Sequence, residues 1–169
     1  MNLTVLFVSA VALAAGPQAT AQQTTTQQSA HDHAQMNHRG AHVMGFDQDK
    51  TTHHFLLFED GGAIDVSVKD SADKTNLDAI RAHLPHIAMK FGEGDFEAPA
   101  LVHATDVPGT KDLAALKAKL SWKYVETAKG GRVDIVTTDA AALSAVHAFL
   151  KYQIEDHKTG DPLTARKRQ

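Results

Sequence analysis

One pattern occurs twice in this chain and constrains its fold more than any other feature. Gly61-Gly62-Ala63-Ile64-Asp65-Val66-Ser67-Val68-Lys69-Asp70 and Gly130-Gly131-Arg132-Val133-Asp134-Ile135-Val136-Thr137-Thr138-Asp139 share the form GG-x-apolar-D-apolar-x-x-x-D. A strand-like stretch precedes each glycine pair, His53 to Glu59 in the first copy and Trp122 to Thr127 in the second. The glycines stand where a tight hairpin asks for a positive φ. A helical pattern follows each pair. Leu77, Ile80, Leu84, Ile87 and Phe91 alternate at spacings of three and four, which predicts a helix over 76–91. Thr75 with Asp78 resembles a capping box, and Pro85 inside this helix removes one backbone bond and predicts a kink. Leu143, Val146, Leu150 and Ile154 predict a second helix over 140–157, with Thr138 or Asp139 as its N-cap. The expected fold class is therefore α+β. It is a duplicated ββα unit whose four strands form one antiparallel sheet with two main helices on one face.

Around this unit the chain divides by composition. Leu3 to Ala15 is an uncharged run of apolar and small residues, Gly16-Pro17 breaks it, and Ala19-Thr20-Ala21 has the small residues a signal peptidase reads. The run is shorter than the ~20 residues that span a bilayer, so residues 1–21 are expected to be a signal peptide. The n-region lacks Lys and Arg, and an uncleaved anchor is the competing reading. The expected location is then periplasmic or secreted, with no membrane span after cleavage. Residues 22–45 are expected to be disordered, first Gln/Thr-rich and then an arm rich in His and Met. A single α+β domain is expected over 46–160, and residues 161–169 are expected to be a solvated tail. Between the repeats a short strand is expected at Leu101-Val102, and Leu113, Leu116 and Leu120 suggest a short extra helix.

Charge and cysteine content remove several functions. The net charge is -3, which does not suit a nucleic-acid binder, whose contact face is basic. There is no cysteine, so thiolate zinc sites, iron–sulfur clusters and cysteine nucleophiles are excluded. The G-x-S-x-G elbow, H-E-x-x-H and glycine-rich phosphate loops are also missing. No catalytic residue is assigned.

Histidine stands out instead. The chain has 11, all beyond residue 21. Neutral imidazole is the commonest metal ligand. His31, His33, His38 and His42 share the arm with Met36 and Met44, and imidazole with thioether is a ligand set suited to copper. His53 and His54 are neighbours on a strand and must point to opposite faces; the repeat alignment with Trp122 directs His53 toward the helices. His83 and His86 form H-x-x-H on the first helix, a spacing that lets two rings reach one ion. Aligning Ile80 with Leu143 puts His147 in the place of Leu84, inside the buried stripe, and His157 follows on the same stripe. A site built from His53, His83 and His147 is the expected domain centre, set against the reading that these are ordinary core histidines. His103 falls in an irregular stretch with nothing else to single it out. Glu93, Asp95 and Glu97 resemble a solvated turn more than paired catalytic carboxylates.

The segments KTTHHF (Lys50 to Phe55), AIRAHLPHIA (Ala79 to Ala88) and FLKYQIEDHKTGD (Phe149 to Asp161) resemble a group of small exported bacterial proteins. That group shares K-T-T-H-H-F, I-R-x-H-L-x-H-I-A and F-L-x-F-Q-I-x-D-H-K-T-G-D. The likeness runs from about Met44 to Asp161, and Pro85 stands where other members often have Ser. The resemblance implies an association with copper and heavy-metal resistance, and it places His53, His54, His83, His86, His147 and His157 within shared segments. Some members carry the label aspartate carbamoyltransferase, but the S-x-R-T-R phosphate-binding segment of that enzyme is missing here.

The expected function is a periplasmic metal-binding protein for capture, buffering or resistance. Copper is the first expected ion, zinc the second, and haem the third cofactor. Its expected partners are the ion and another periplasmic metal-handling protein. The alternatives are a His-ligated, metal-dependent hydrolase of a small ester or lactone, a haem binder, and a structural adaptor.

Overall fold

A computed structural model describes residues 32–168. The expected signal peptide, the Gln/Thr-rich stretch and His31 lie outside the described residues. The fold is α+β. Its elements are helix α1 over 32–44, strands β1 (Thr51–Phe58) and β2 (Gly61–Val68), and helices α2 (Lys74–Glu93), α3 (Glu97–His103) and α4 (Thr110–Ala115). A 3₁₀ turn (Lys117–Lys119), strands β3 (Ser121–Thr127) and β4 (Gly130–Val136), and helix α5 (Ala140–His157) complete it. The strands form one antiparallel sheet in the order β1-β2-β4-β3, and the order strand, strand, helix occurs twice.

Strand alternation decides what the sheet presents to the helices. His53, Phe55 and Leu57 lie opposite Val66, Ile64 and Gly62, which in turn lie opposite Gly131, Val133 and Ile135. Trp122 and Tyr124 continue the same rows on β3. These side chains share one hydrophobic core with Leu77, Ile80, Leu84 and Ile87 of α2 and Val146, Phe149, Leu150 and Ile154 of α5. Each helix crosses over to the other hairpin: α2 lies mainly on β3 and β4, and α5 on β1 and β2. This crossing carries the end of α5 back over the start of β1.

The glycine pairs serve close approach more than turn geometry. A Cβ on Gly62 would collide with Leu150 of α5 and with the Leu56 carbonyl. A Cβ on Gly131 would press on Tyr124 and, at 3.0 Å, on Leu84 of α2. Gly61 has the positive φ that was expected, 144°, and a side chain there would strike the Ile135 carbonyl. The pairs therefore let each helix settle onto the two central strands.

Several expectations change. Residues 32–44 are helical and docked, not a free arm. Met36 is 3% exposed, Met44 packs on the core, and the Arg39 side chain donates to the Val102 carbonyl at 2.8 Å. The reason is a stripe at spacing four, Met36, Gly40, Met44, which buries one face of the helix. Leu101-Val102 lies in helix α3 instead of a strand; Pro99 sits in its first turn, where the missing N–H has no helical acceptor to lose. The N-cap of α2 is Asp73, whose carboxylate accepts from the Asn76 N–H, not Thr75. The N-cap of α5 is Asp139. The helix α2 runs unbroken through Pro85. Asp95 accepts from the Glu97 N–H and pairs with Lys90 at 3.2 Å, so that acidic cluster braces a turn.

The segment 161–168 is docked too. Arg166 donates its N–H to the Leu57 carbonyl and accepts from the Glu59 N–H, so it pairs along the outer edge of β1. Arg168 lies 4.3 Å over the Phe58 ring, bonds Asp60 and Asp134, and donates to the Ile135 carbonyl at 2.9 Å. A guanidinium with that many acceptors is held in place, not solvated.

Candidate functional site

The crossing of α5 over β1 gathers histidines from four elements around one cavity of about 70 Å³. His53 comes from β1, His83 from α2, His103 from the last residue of α3 and His157 from the last residue of α5. Met44 at the end of α1 and Phe46 close the wall nearest the N-terminus. The rest of the lining is apolar except Gln153.

The rings form a chain of contacts. Phe46 lies 5.8 Å from His53, nearly parallel, and 5.8 Å from His83, edge-on. His53 and His157 are 5.7 Å apart with planes 17° from parallel. His157 meets His103 edge-on at 5.0 Å. His103 is the most constrained of the set. Its side chain is 1% exposed, its Nδ1 is 2.6 Å from the Asp156 carboxylate, and its Nε2 is 3.0 Å from the Gln153 amide oxygen. A carboxylate on Nδ1 fixes the proton there and orients the ring, so Nε2 accepts a hydrogen bond from the amide group of Gln153.

One polar atom at this site has no partner. His53 Nε2 is inaccessible to solvent and makes no hydrogen bond. A buried polar atom without a partner carries the full cost of its desolvation, so it marks a place where a ligand would be welcome. The rings are held neutral. Burial, with the neighbouring His54 and His83, pushes His53 down to about 4. Burial and His86 push His83 down to about 4. Burial, with His53, His103 and His33, pushes His157 down to about 3. Near neutral pH these three rings offer lone pairs, not positive charge.

The expected site residues divide accordingly. His53, His83 and His157 meet at the cavity, and His53 faces the helices as its strand position required. His54 points the other way and pairs with Asp161 at 2.9 Å. His86 is exposed and lies outside the cavity, in a surface groove that it shares with His83, Asp95 and Glu97. His147 does not reach the cavity. Its Nε2 faces the carbonyls of Phe58 at 2.9 Å and Gly61 at 3.1 Å, tying α5 to the β1–β2 turn. The expected trio of His53, His83 and His147 is corrected for this reason. The buried positions show why: Ile80, Leu84 and Ala88 of α2 correspond to Val146, Leu150 and Ile154 of α5. His147 then corresponds to Arg81, beside the stripe, and His157 to Phe91, on it.

Within the helix α1 the arm residues separate. His38 and His42 are exposed, one turn apart, whereas Met36 is buried and Met44 is turned to the cavity. His33 is half-buried, with an unpartnered Nδ1, in a groove shared with His53, His54 and His157. The expected joint His/Met chelate on a flexible arm is therefore not formed. His103 is the residue that sequence reasoning missed. Its signal was the i, i+3 pair Gln153 and Asp156 on α5, both polar beside an apolar stripe.

Among the described residues, no three His, Asp or Glu side chains are arranged to hold a metal ion together. Nor does any described helix have the length and apolarity to cross a membrane. No family model, curated protein or solved structure matches this chain.

Proposed function

We propose that this chain is an exported copper-binding protein that holds the ion in the histidine-lined cavity. Its role would be capture or buffering, with release to another metal-handling protein. The observation that carries this reading is His53 Nε2, a buried, unpartnered nitrogen at a cavity walled by three further imidazoles and a thioether. His53 and His157 would be the principal ligands, with Met44 completing the set. His103, braced by Asp156, would position the ring of His157 against which it rests. The exposed pair His38 and His42 would act as an outer capture point on α1.

Cavity size supports an ion over the alternatives. Pockets for small organic ligands occupy about 300–1,000 Å³, and a bound water takes about 30 Å³. A space of about 70 Å³ suits an ion with one or two small companions. An ester substrate or a haem is larger than this space. Metal titration of the full chain tests the reading. One tight copper site should be present and should be lost in His53→Phe, a change of similar volume that keeps the stacking on Phe46. Equal copper affinity in that variant and the parent would refute the cavity as the site.

A further inference from the structure

Resting on the reading that the cavity holds a metal, we infer that it selects a soft monovalent ion, cuprous copper or its congener silver(I), against zinc(II) and copper(II). The inference comes from what the lining lacks. None of its side chains is Asp, Glu, Lys or Arg, and the Gln153 amide supplies its only side-chain oxygen. The Asp156 carboxylate is not part of the lining; it is bonded to Nδ1 of His103 and stays 40% exposed. An ion entering the cavity therefore meets no countercharge there, only neutral donors set among apolar side chains. The cost of placing charge in a low-dielectric medium rises with the square of that charge. A divalent ion pays four times what a monovalent ion of equal size does.

The donors point the same way. Thioether sulfur and neutral imidazole suit cuprous copper, whereas tetragonal copper(II) is matched to nitrogen and oxygen together. Structural zinc asks for four ligands in a tetrahedron. Among the described residues no such set of His and carboxylate groups converges. Cuprous and silver ions are satisfied by two or three donors. His53 and His157, 5.7 Å apart between ring centres, with Met44 lining the same cavity, supply that number.

The test is a set of anaerobic titrations of the full chain with cuprous copper (as its acetonitrile complex), silver(I), zinc(II) and copper(II). Each is run in a His38→Ala/His42→Ala background, so that the outer face of α1 contributes nothing. The cavity site should bind the two monovalent ions at least 100-fold more tightly than either divalent ion. Met44→Leu should weaken silver(I) about tenfold and leave zinc(II) unchanged, while His53→Phe abolishes the tight monovalent site. Thermal melts of each variant verify that it is folded. Zinc(II) or copper(II) binding as tightly as silver(I), and depending on His53, would overturn the selectivity while leaving the metal site intact. Binding of none of the four ions at a His53-dependent site would overturn both the selectivity and the proposed function.

Discussion

Acidification should destabilise this protein through its cavity before its carboxylates titrate. In an unfolded chain His53, His83 and His157 would titrate near 6.5, whereas burial holds them at about 4, 4 and 3 in the fold. Between these limits the unfolded state binds more protons than the folded one. Stability therefore rises with pH, being fully present above 6.5 and lost progressively below it. At pH 5 each ring lies 1.5 units below its unfolded value, a loss of about 2 kcal/mol relative to pH 8. Three rings would sum to about 6 kcal/mol. The lowering of each also contains repulsion from its neighbours, which a simple sum counts twice, so about 4 kcal/mol is the working figure. Small domains have about 5–15 kcal/mol in total, which makes this a large fraction. Asp73, Asp95 and Asp106 are also held below the ordinary carboxylate range, by their hydrogen bonds and nearby lysines, but their contribution is lost only near pH 4 and below. Urea unfolding followed by circular dichroism at pH 8, 7, 6 and 5 measures the effect. The midpoint should fall steeply between 7 and 5, and His157→Phe should flatten that slope by about a third. A midpoint that is constant or rises from pH 7 to pH 5 would refute the claim that these rings are buried neutral.

Two further outcomes follow from the packing. His147→Ala removes the link from α5 to the Phe58 and Gly61 carbonyls, so it should cost about 1–3 kcal/mol in urea unfolding while leaving copper stoichiometry unchanged. Gly62→Ala puts a methyl group against Leu150 and the Leu56 carbonyl, and should lower stability by about 1–3 kcal/mol or more, whereas Gly45→Ala, with open space around it, should show only the strain of its positive φ.

Much of the fold was legible because the repeated GG-x-apolar-D pattern carries both periods at once, two along the strands and three to four along the helices. Strand alternation placed His53 inward and His54 outward correctly. The two failures share a cause. Histidine is polar in composition yet packs as a flat ring, so its burial depends on neighbours rather than on pattern. In 32–44 the eye follows three histidines and misses Met36, Gly40 and Met44. In α5 the stripe was matched to α2 three residues out of step, because Leu143 resembles Ile80 as well as Val146 does. That slip moved His147 into the core on paper and left His157, at the helix end, in second place. His103 was hidden by Pro99, which reads as loop unless it is recognised as a first-turn residue of α3. The grouping at the cavity joins residues far apart in sequence, and nothing local encodes it.

The docking of 161–168 along β1 has a consequence for how copies of this protein can associate. An open sheet has two rims, each with unpaired backbone groups that another strand can extend. Here Arg166 takes up the Leu57 carbonyl and the Glu59 N–H, and Asp161 takes the Phe55 N–H, so one rim is already spent. Among the described residues, β3 is the strand that still offers its edge. Two molecules joined rim to rim through β3 would have no rim left, and stacking would end at a pair. A chain clipped before Asp161 would regain its second rim, and with it the means to grow without limit.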